Sequence, residues 1–196
     1  PAKAGIFYSL STALSKGAAL LFTPIYTRLI PPGEYALYSA YTAFMGVVGI
    51  FVSLQLSGSV IYSGLSEFSD KKGFVSSAAK LMTLSLVTVL LLSIIFRRVL
   101  VSLTTLPFRF VILLAFQVYL DGIRSLYLSE SRHFYRYGYN LSEGIVFSLG
   151  VPMLSLIFIA VLDMRAEGRI FALFIVSLLF SIPSFKRIFS ESHSFR

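Results

Sequence analysis

Four polar side chains stand inside stretches that are otherwise apolar, and they are the residues of this sequence most suited to chemistry. They are Lys16, Gln55, Asp121 and Arg124. An ionised side chain at the centre of a bilayer costs roughly 3 kcal/mol on insertion scales, so such residues are expected to face protein or water. Cations suit an anionic substrate, and an acid suits coupling to a cation. We therefore predict that these four residues line a substrate pathway.

Each of the four residues also has a purely structural interpretation. Lys16 could pair with an acid on a neighbouring helix. Asp121 and Arg124 lie three residues apart, so they share a helix face and can neutralise each other. The only role of this pair could then be to fix the rotation of that helix. Gln55 could form an ordinary hydrogen bond between helices. The sequence leaves both interpretations open.

Catalytic and metal-binding sets of residues are missing from the sequence. There is no cysteine, so no disulfide or thiolate site can form. His133 and His193 lie in polar stretches without a partner at ligand spacing, and the acids are spread singly over several loops. Acid–base or metal-assisted catalysis needs such groups to converge. We therefore predict a protein that is not an enzyme and that holds no cofactor.

The composition indicates an integral membrane protein. Hydrophobic residues make up 56% of the chain and charged residues 13%, and the mean hydropathy is +0.81, far above soluble usage. Because lipid offers no partners to backbone groups, we predict an all-α, polytopic fold. The net charge of +8 comes from Lys and Arg scattered singly, which favours anionic headgroups over nucleic acid as the counterpart.

Six apolar stretches predict six transmembrane helices in a single bundle over residues 1–196. Their expected ranges are about 5–29, 38–61, 81–96, 108–128, 140–162 and 170–185. Lys and Arg are more numerous on the side of the two termini. Both termini are therefore predicted to be cytoplasmic.

Two motifs resemble a known family. The first predicted helix ends in PIYTRLI at residues 24–30, and EYALY follows at residues 34–38. They resemble the phrases "PIYTRLL" and "EYGLY" near the start of the Wzx-type oligosaccharide flippases, polysaccharide transporters of the multidrug/oligosaccharidyl-lipid/polysaccharide (MOP) superfamily, with Ala36 where Gly is usual. RAEGRI at residues 165–170 resembles the family's "GAEGRILG". The likeness covers essentially the whole chain.

The resemblance implies one six-helix, N-terminal lobe of a transporter with about twelve to fourteen helices that works by alternating access. Members move undecaprenyl-diphosphate-linked oligosaccharide across the bacterial cytoplasmic membrane for O-antigen, capsule or exopolysaccharide synthesis. A cationic cavity of this kind would hold the diphosphate and acidic sugars, and from charge and depth, not from a family motif, we expect Lys16 and Arg124 to do so. The implied partners are membrane lipids, this substrate, and a second lobe or a second copy of the chain. We expect a truncated transporter, because one lobe cannot alternate alone.

Three other functions are compatible with the sequence. A cation-coupled drug exporter of the same superfamily would need a deeply placed acid, and Asp121, the one candidate, has Arg124 beside it. A membrane enzyme acting on the same lipid carrier would need converging carboxylates or histidines. A scaffold of glycan assembly would need neither.

Overall fold

The computed structural model describes residues 2–134 and 137–190, and within them the chain is mostly helical and has no strand. A helix pairs each backbone donor and acceptor within its own segment, which a chain this apolar requires. The helices are α1 Ala2–Leu29, α2 Pro32–Ser53, α3 Ser59–Glu67, α4 Lys71–Ile95, α5 Arg97–Thr104, α6 Phe108–His133, α7 Tyr137–Ile145, a π-helical turn Val146–Gly150, α8 Val151–Ala160 and α9 Arg165–Ser190.

Five helical stretches of the described chain are long and apolar enough to cross a membrane. They are Pro32–Ser53, Lys71–Ile95, Phe108–His133, Ser142–Ala160 and Arg165–Phe189, and they overlap the second to sixth predicted spans. The first predicted span falls in α1, which has 28 residues but carries Lys16 near its middle. The all-α, membrane-spanning fold is thus confirmed. The sixth span and the role of one lobe stay predictions.

The second predicted span, 38–61, is broken in the structure. Leu54 and Gln55 have φ values of 49° and 52°, a left-handed conformation that is uncommon for residues other than glycine. The Ser53 hydroxyl donates to the Gly49 carbonyl at 2.6 Å and accepts from the Gln55 backbone N–H at 3.2 Å. These contacts end α2 at Ser53, so Gln55 lies in a turn instead of mid-helix.

Two other helices begin where the sequence predicts a polar connection. α4 starts at Lys71, inside the predicted loop, because the Asp70 carboxylate caps it by accepting from the Gly73 N–H at 2.9 Å. α9 starts at Arg165, five residues before the predicted span. Arg165 and Arg169 therefore belong to the first turns of α9.

The chain divides into two compact units. Unit 1 combines the chain up to Ser39 with Phe134–Val176, and unit 2 combines Ala40–His133 with the chain from Ser177 onward. The core of unit 1 contains Tyr26, Ile30, Ile159 and Ala166.

Unit 2 is built around α6, which packs against α3, α4 and α5. Its fully buried side chains include Tyr41, Ile61, Met82, Phe110 and Ile123. The rings of Tyr41 and Phe110 meet edge to face, with centroids 6.5 Å apart, a favoured aromatic geometry. α6 therefore offers a fixed frame for the polar residues that it carries.

Candidate functional site

Asp121 is the centre of a polar network in unit 2. Gln117, one turn earlier on α6, donates through Nε2 to Asp121 Oδ2 at 2.9 Å and to Ser177 Oγ of α9 at 2.7 Å. The Ser177 hydroxyl donates to Asp121 Oδ1 at 2.9 Å. Arg124 Nη2 lies 3.4 Å from the same Oδ1. The predicted pair of Asp121 and Arg124 is thus in contact, and Gln117 and Ser177 join it.

The network runs from a buried end to a partly open end. Gln117 and Ser177 are fully buried at 0% exposure, whereas the side chains of Arg124 and Asp121 are 19% and 24% exposed. Since Asp121 accepts from three donors, its carboxylate is stabilised where it stands. Arg124 is the cation of this network, and its side chain keeps part of its surface exposed.

Small polar residues let α9 approach α6 at this network. Ser177, Ser181 and Ser184 are each 0% exposed, and their spacing of four and three residues places them on one face of α9. The Ser181 hydroxyl donates to the Leu120 carbonyl of α6 at 3.1 Å. Serines at such positions allow close packing and add hydrogen bonds between helices. The spacing was the signal in the sequence for this face.

The other two predicted pathway residues lie elsewhere. Lys16 is in α1, in unit 1, and its side chain is exposed. Gln55 is in unit 2, on the turn after α2, and is exposed as well. Among the described contacts it takes no part in the Asp121 network. The structure therefore brings two of the four predicted residues together, and Lys16 belongs to the other unit.

Arg169 forms a second cationic cluster, in unit 1, that the sequence interpretation missed. Its guanidinium carbon lies 3.8 Å from the ring centroid of Tyr38, 4.0 Å from that of Tyr26 and 5.8 Å from that of Tyr35. A guanidinium over aromatic rings is attracted by their π-electrons. Arg, Ala and Glu favour helices, so the polar RAEGR segment can form the first turns of α9 while its second arginine packs on the tyrosines.

One turn earlier, Arg165 forms an ion pair with Glu34, with Nη1 2.6 Å from Oε1. Both side chains are partly exposed, at 53% and 35%, so this pair adds little stability. It joins the start of α9 to the start of α2 within unit 1. The cluster around Arg169 is thus closed on one side by a surface ion pair.

Arg169 also lines a cleft of about 330 Å³ in unit 1. The Tyr26 hydroxyl donates to the Pro152 carbonyl at 2.9 Å across it, and the π-helical turn Val146–Gly150 contributes Ser148 to its wall. Pro152 has no N–H for the carbonyl one turn before it, and π-helical turns are frequent at functional sites. Arg169 Nη1 is buried with no hydrogen-bond partner in the described structure. The wall of the cleft therefore contains a buried donor that no described residue satisfies.

Residues 2–134 and 137–190 show no candidate metal site. Within them, no three His, Asp or Glu side chains are grouped so that they could hold an ion.

Comparison with known proteins gives one match. A protein-family model described as "Polysaccharide biosynthesis protein" matches residues 2–196. Curated proteins and solved structures give no significant match.

We predict that Asp121→Asn destabilises unit 2 by roughly 1–2 kcal/mol, because an amide nitrogen would face the donors of Gln117 or Arg124. The matched control is Glu34→Gln, which removes an acid from an exposed pair and should cost less than about 0.5 kcal/mol. Thermal unfolding of both variants in one detergent measures the difference. Equal losses of stability would contradict the buried network.

We predict that Arg169→Lys lowers stability by about 1 kcal/mol or more, because an ammonium cannot stack flat on two tyrosine rings. Arg165→Lys is the control: it lies one turn away, keeps its charge near Glu34 and should change little. Chemical unfolding of the two variants tests this. A loss that is no larger for Arg169→Lys than for Arg165→Lys would show that the ring contacts contribute nothing.

Proposed function

Because the chain belongs to the polysaccharide biosynthesis protein family, we propose that it transports a lipid-linked oligosaccharide across the bacterial cytoplasmic membrane. The family match supports a membrane protein of polysaccharide biosynthesis with a transport role. The observation that carries the proposal is the family match over residues 2–196, on a chain with five described stretches able to span a membrane. Members of this family are generally transporters and not enzymes.

The proposed substrate is an undecaprenyl-diphosphate-linked oligosaccharide, used for O-antigen, capsule or exopolysaccharide. Its diphosphate is the most highly charged group that must cross the apolar interior of the membrane. A cation at membrane depth lowers the free-energy cost of that crossing. Arg124 and Lys16 are the cations that we propose for this task, each within its own unit. Asp121 and Gln55 complete the proposed pathway residues.

The contacts of Arg124 support its part in this proposal. Its 3.4 Å distance to Asp121 is long for a charge-assisted hydrogen bond, which is about 2.7–2.9 Å when well formed. Asp121 keeps the donors of Gln117 and Ser177 when Arg124 turns away. Arg124 can therefore exchange the carboxylate for a phosphate without leaving the acid unsatisfied.

We also propose that the bundle works with a second lobe or a second copy, since alternating access moves one repeat against another. The excess of Lys and Arg near the termini supports a topology with both termini in the cytoplasm.

A cation-coupled drug exporter is a weaker candidate. Such a protein needs an acid that takes up and releases a cation, and Asp121 is engaged by Gln117, Ser177 and Arg124. The contacts of Asp121 therefore favour the glycan substrate.

Replacement of Lys16 tests the pathway. We expect Lys16→Ala in the native gene to reduce export about tenfold or more and to leave lipid-linked oligosaccharide in the inner leaflet, since a hydrogen bond to a charged group contributes about 1.5–3 kcal/mol. Lys16→Arg keeps the charge and should retain most export. Lys72→Ala, on the exposed first turn of α4, is the matched control.

Export is measured from surface polysaccharide, and protein levels from immunoblots. Unchanged export by Lys16→Ala at a normal protein level would remove Lys16 from the pathway. A loss of export shared by Lys72→Ala would show a general effect of removing charge.

A further inference from the structure

Unit 2 contains an apolar pocket of about 460 Å³, within the range of small-molecule sites. It lies between α2, α4, α5 and α6, and its walls include Phe44, Phe51, Leu92, Phe96, Leu103 and Leu114. The Asp121 network contributes no residue to it. The pocket is thus separate from the proposed transport pathway residues.

The walls offer no free polar group. Two hydroxyl residues line the pocket, and both donate back to their own helix: Ser93 to the Val89 carbonyl and Thr104 to the Leu100 carbonyl, each at 2.7 Å. A polar occupant would lose its hydrogen bonds to water without replacement. The occupant that fits these walls is therefore a hydrocarbon chain.

A cationic group flanks the pocket. Arg97 and Arg98 begin α5, beside the pocket residues Phe96 and Val99, and both arginines are exposed. The Arg97 guanidinium carbon lies 4.8 Å from the ring centroid of Phe108, an aromatic support that orders it. The sequence has no Asp or Glu between residues 71 and 120. The chain that forms these walls therefore supplies cations and no acid.

The two arginines beside the pocket are expected at the level of the lipid headgroups. α4 ends at Ile95, α5 is a short helix with arginines at its start, and α6 begins at Phe108. A short amphipathic helix between two membrane spans is expected at the headgroup level. Lys and Arg near the membrane surface attract anionic headgroups.

We propose that this pocket binds one acyl chain of an anionic phospholipid, with the lipid phosphate at Arg97 and Arg98. The apolar walls select the chain, and the arginines select the charge. A zwitterionic lipid fits the same walls but gains less from the arginines.

The probe is dioleoyl phosphatidylglycerol, with dioleoyl phosphatidylcholine as its neutral counterpart. Each lipid is titrated into the purified protein in detergent, and bound lipid is counted by native mass spectrometry. We expect phosphatidylglycerol to bind more tightly than phosphatidylcholine. Arg97→Gln/Arg98→Gln should weaken phosphatidylglycerol binding about 30-fold, since each arginine near an anionic headgroup contributes severalfold.

Two further variants make the test specific. Lys71→Gln/Lys72→Gln removes the same charge from the opposite end of α4 and should leave binding unchanged. Val99→Trp places a large ring at the pocket and should reduce binding of both lipids while all arginines remain. Size-exclusion profiles matching the parent protein establish that each variant is folded.

Equal binding of the two lipids would overturn the proposal, as would equal losses in the arginine and lysine double variants. Binding of undecaprenyl phosphate with the same arginine dependence, but no binding of phosphatidylglycerol, would also overturn it and would assign the pocket to the glycan carrier.

Discussion

Every backbone donor and acceptor of a membrane-spanning chain must be satisfied within the protein, and this constraint governs the whole structure. Each helix pairs its backbone groups within itself. Hydrogen bonds between helices are therefore formed by a few polar side chains. In unit 2, α6 carries many of them: Gln117 binds Ser177, and Tyr119 binds Thr83 at 2.8 Å. In unit 1, Arg169 makes the corresponding contacts between helices by packing on the rings of Tyr26 and Tyr38. Polar residues therefore fix the rotation of each helix, because apolar surfaces pack similarly in several rotations.

The same constraint explains why the arginines have different roles. Arg169 is held by tyrosine rings and belongs to the packing of unit 1. Arg124 lies 3.4 Å from Asp121, and this acid also accepts from Gln117 and Ser177, so Asp121 stays satisfied when Arg124 changes partner. Arg97 and Arg98 are exposed beside hydrocarbon walls, which suits a lipid headgroup. The surroundings of each cation, more than its charge, indicate what it binds.

The local features of this fold could be predicted, and the long-range ones could not. Hydropathy indicated helical spans, and the i, i+3 spacing indicated that Asp121 meets Arg124. Ser177 is 56 residues from Asp121, and no local pattern connects them. Arg169 was placed in a connection because RAEGR is polar, and its contacts with tyrosines of α1 and α2 join residues too far apart along the chain for a local pattern to show. The left-handed residues of the break, Leu54 and Gln55, are neither glycine nor asparagine, and the turn signal Ser57-Gly58 stands inside a stretch that is otherwise apolar.

Transport itself is most directly tested with the native gene product reconstituted into vesicles that contain a fluorescent undecaprenyl-diphosphate-linked oligosaccharide. Dithionite added outside reduces only label in the outer leaflet. If the protein moves this substrate between leaflets, quenching will exceed the outer-leaflet fraction and will increase with the amount of protein per vesicle. Quenching equal to that of protein-free vesicles, by protein that is folded and correctly inserted, would contradict the proposed transport.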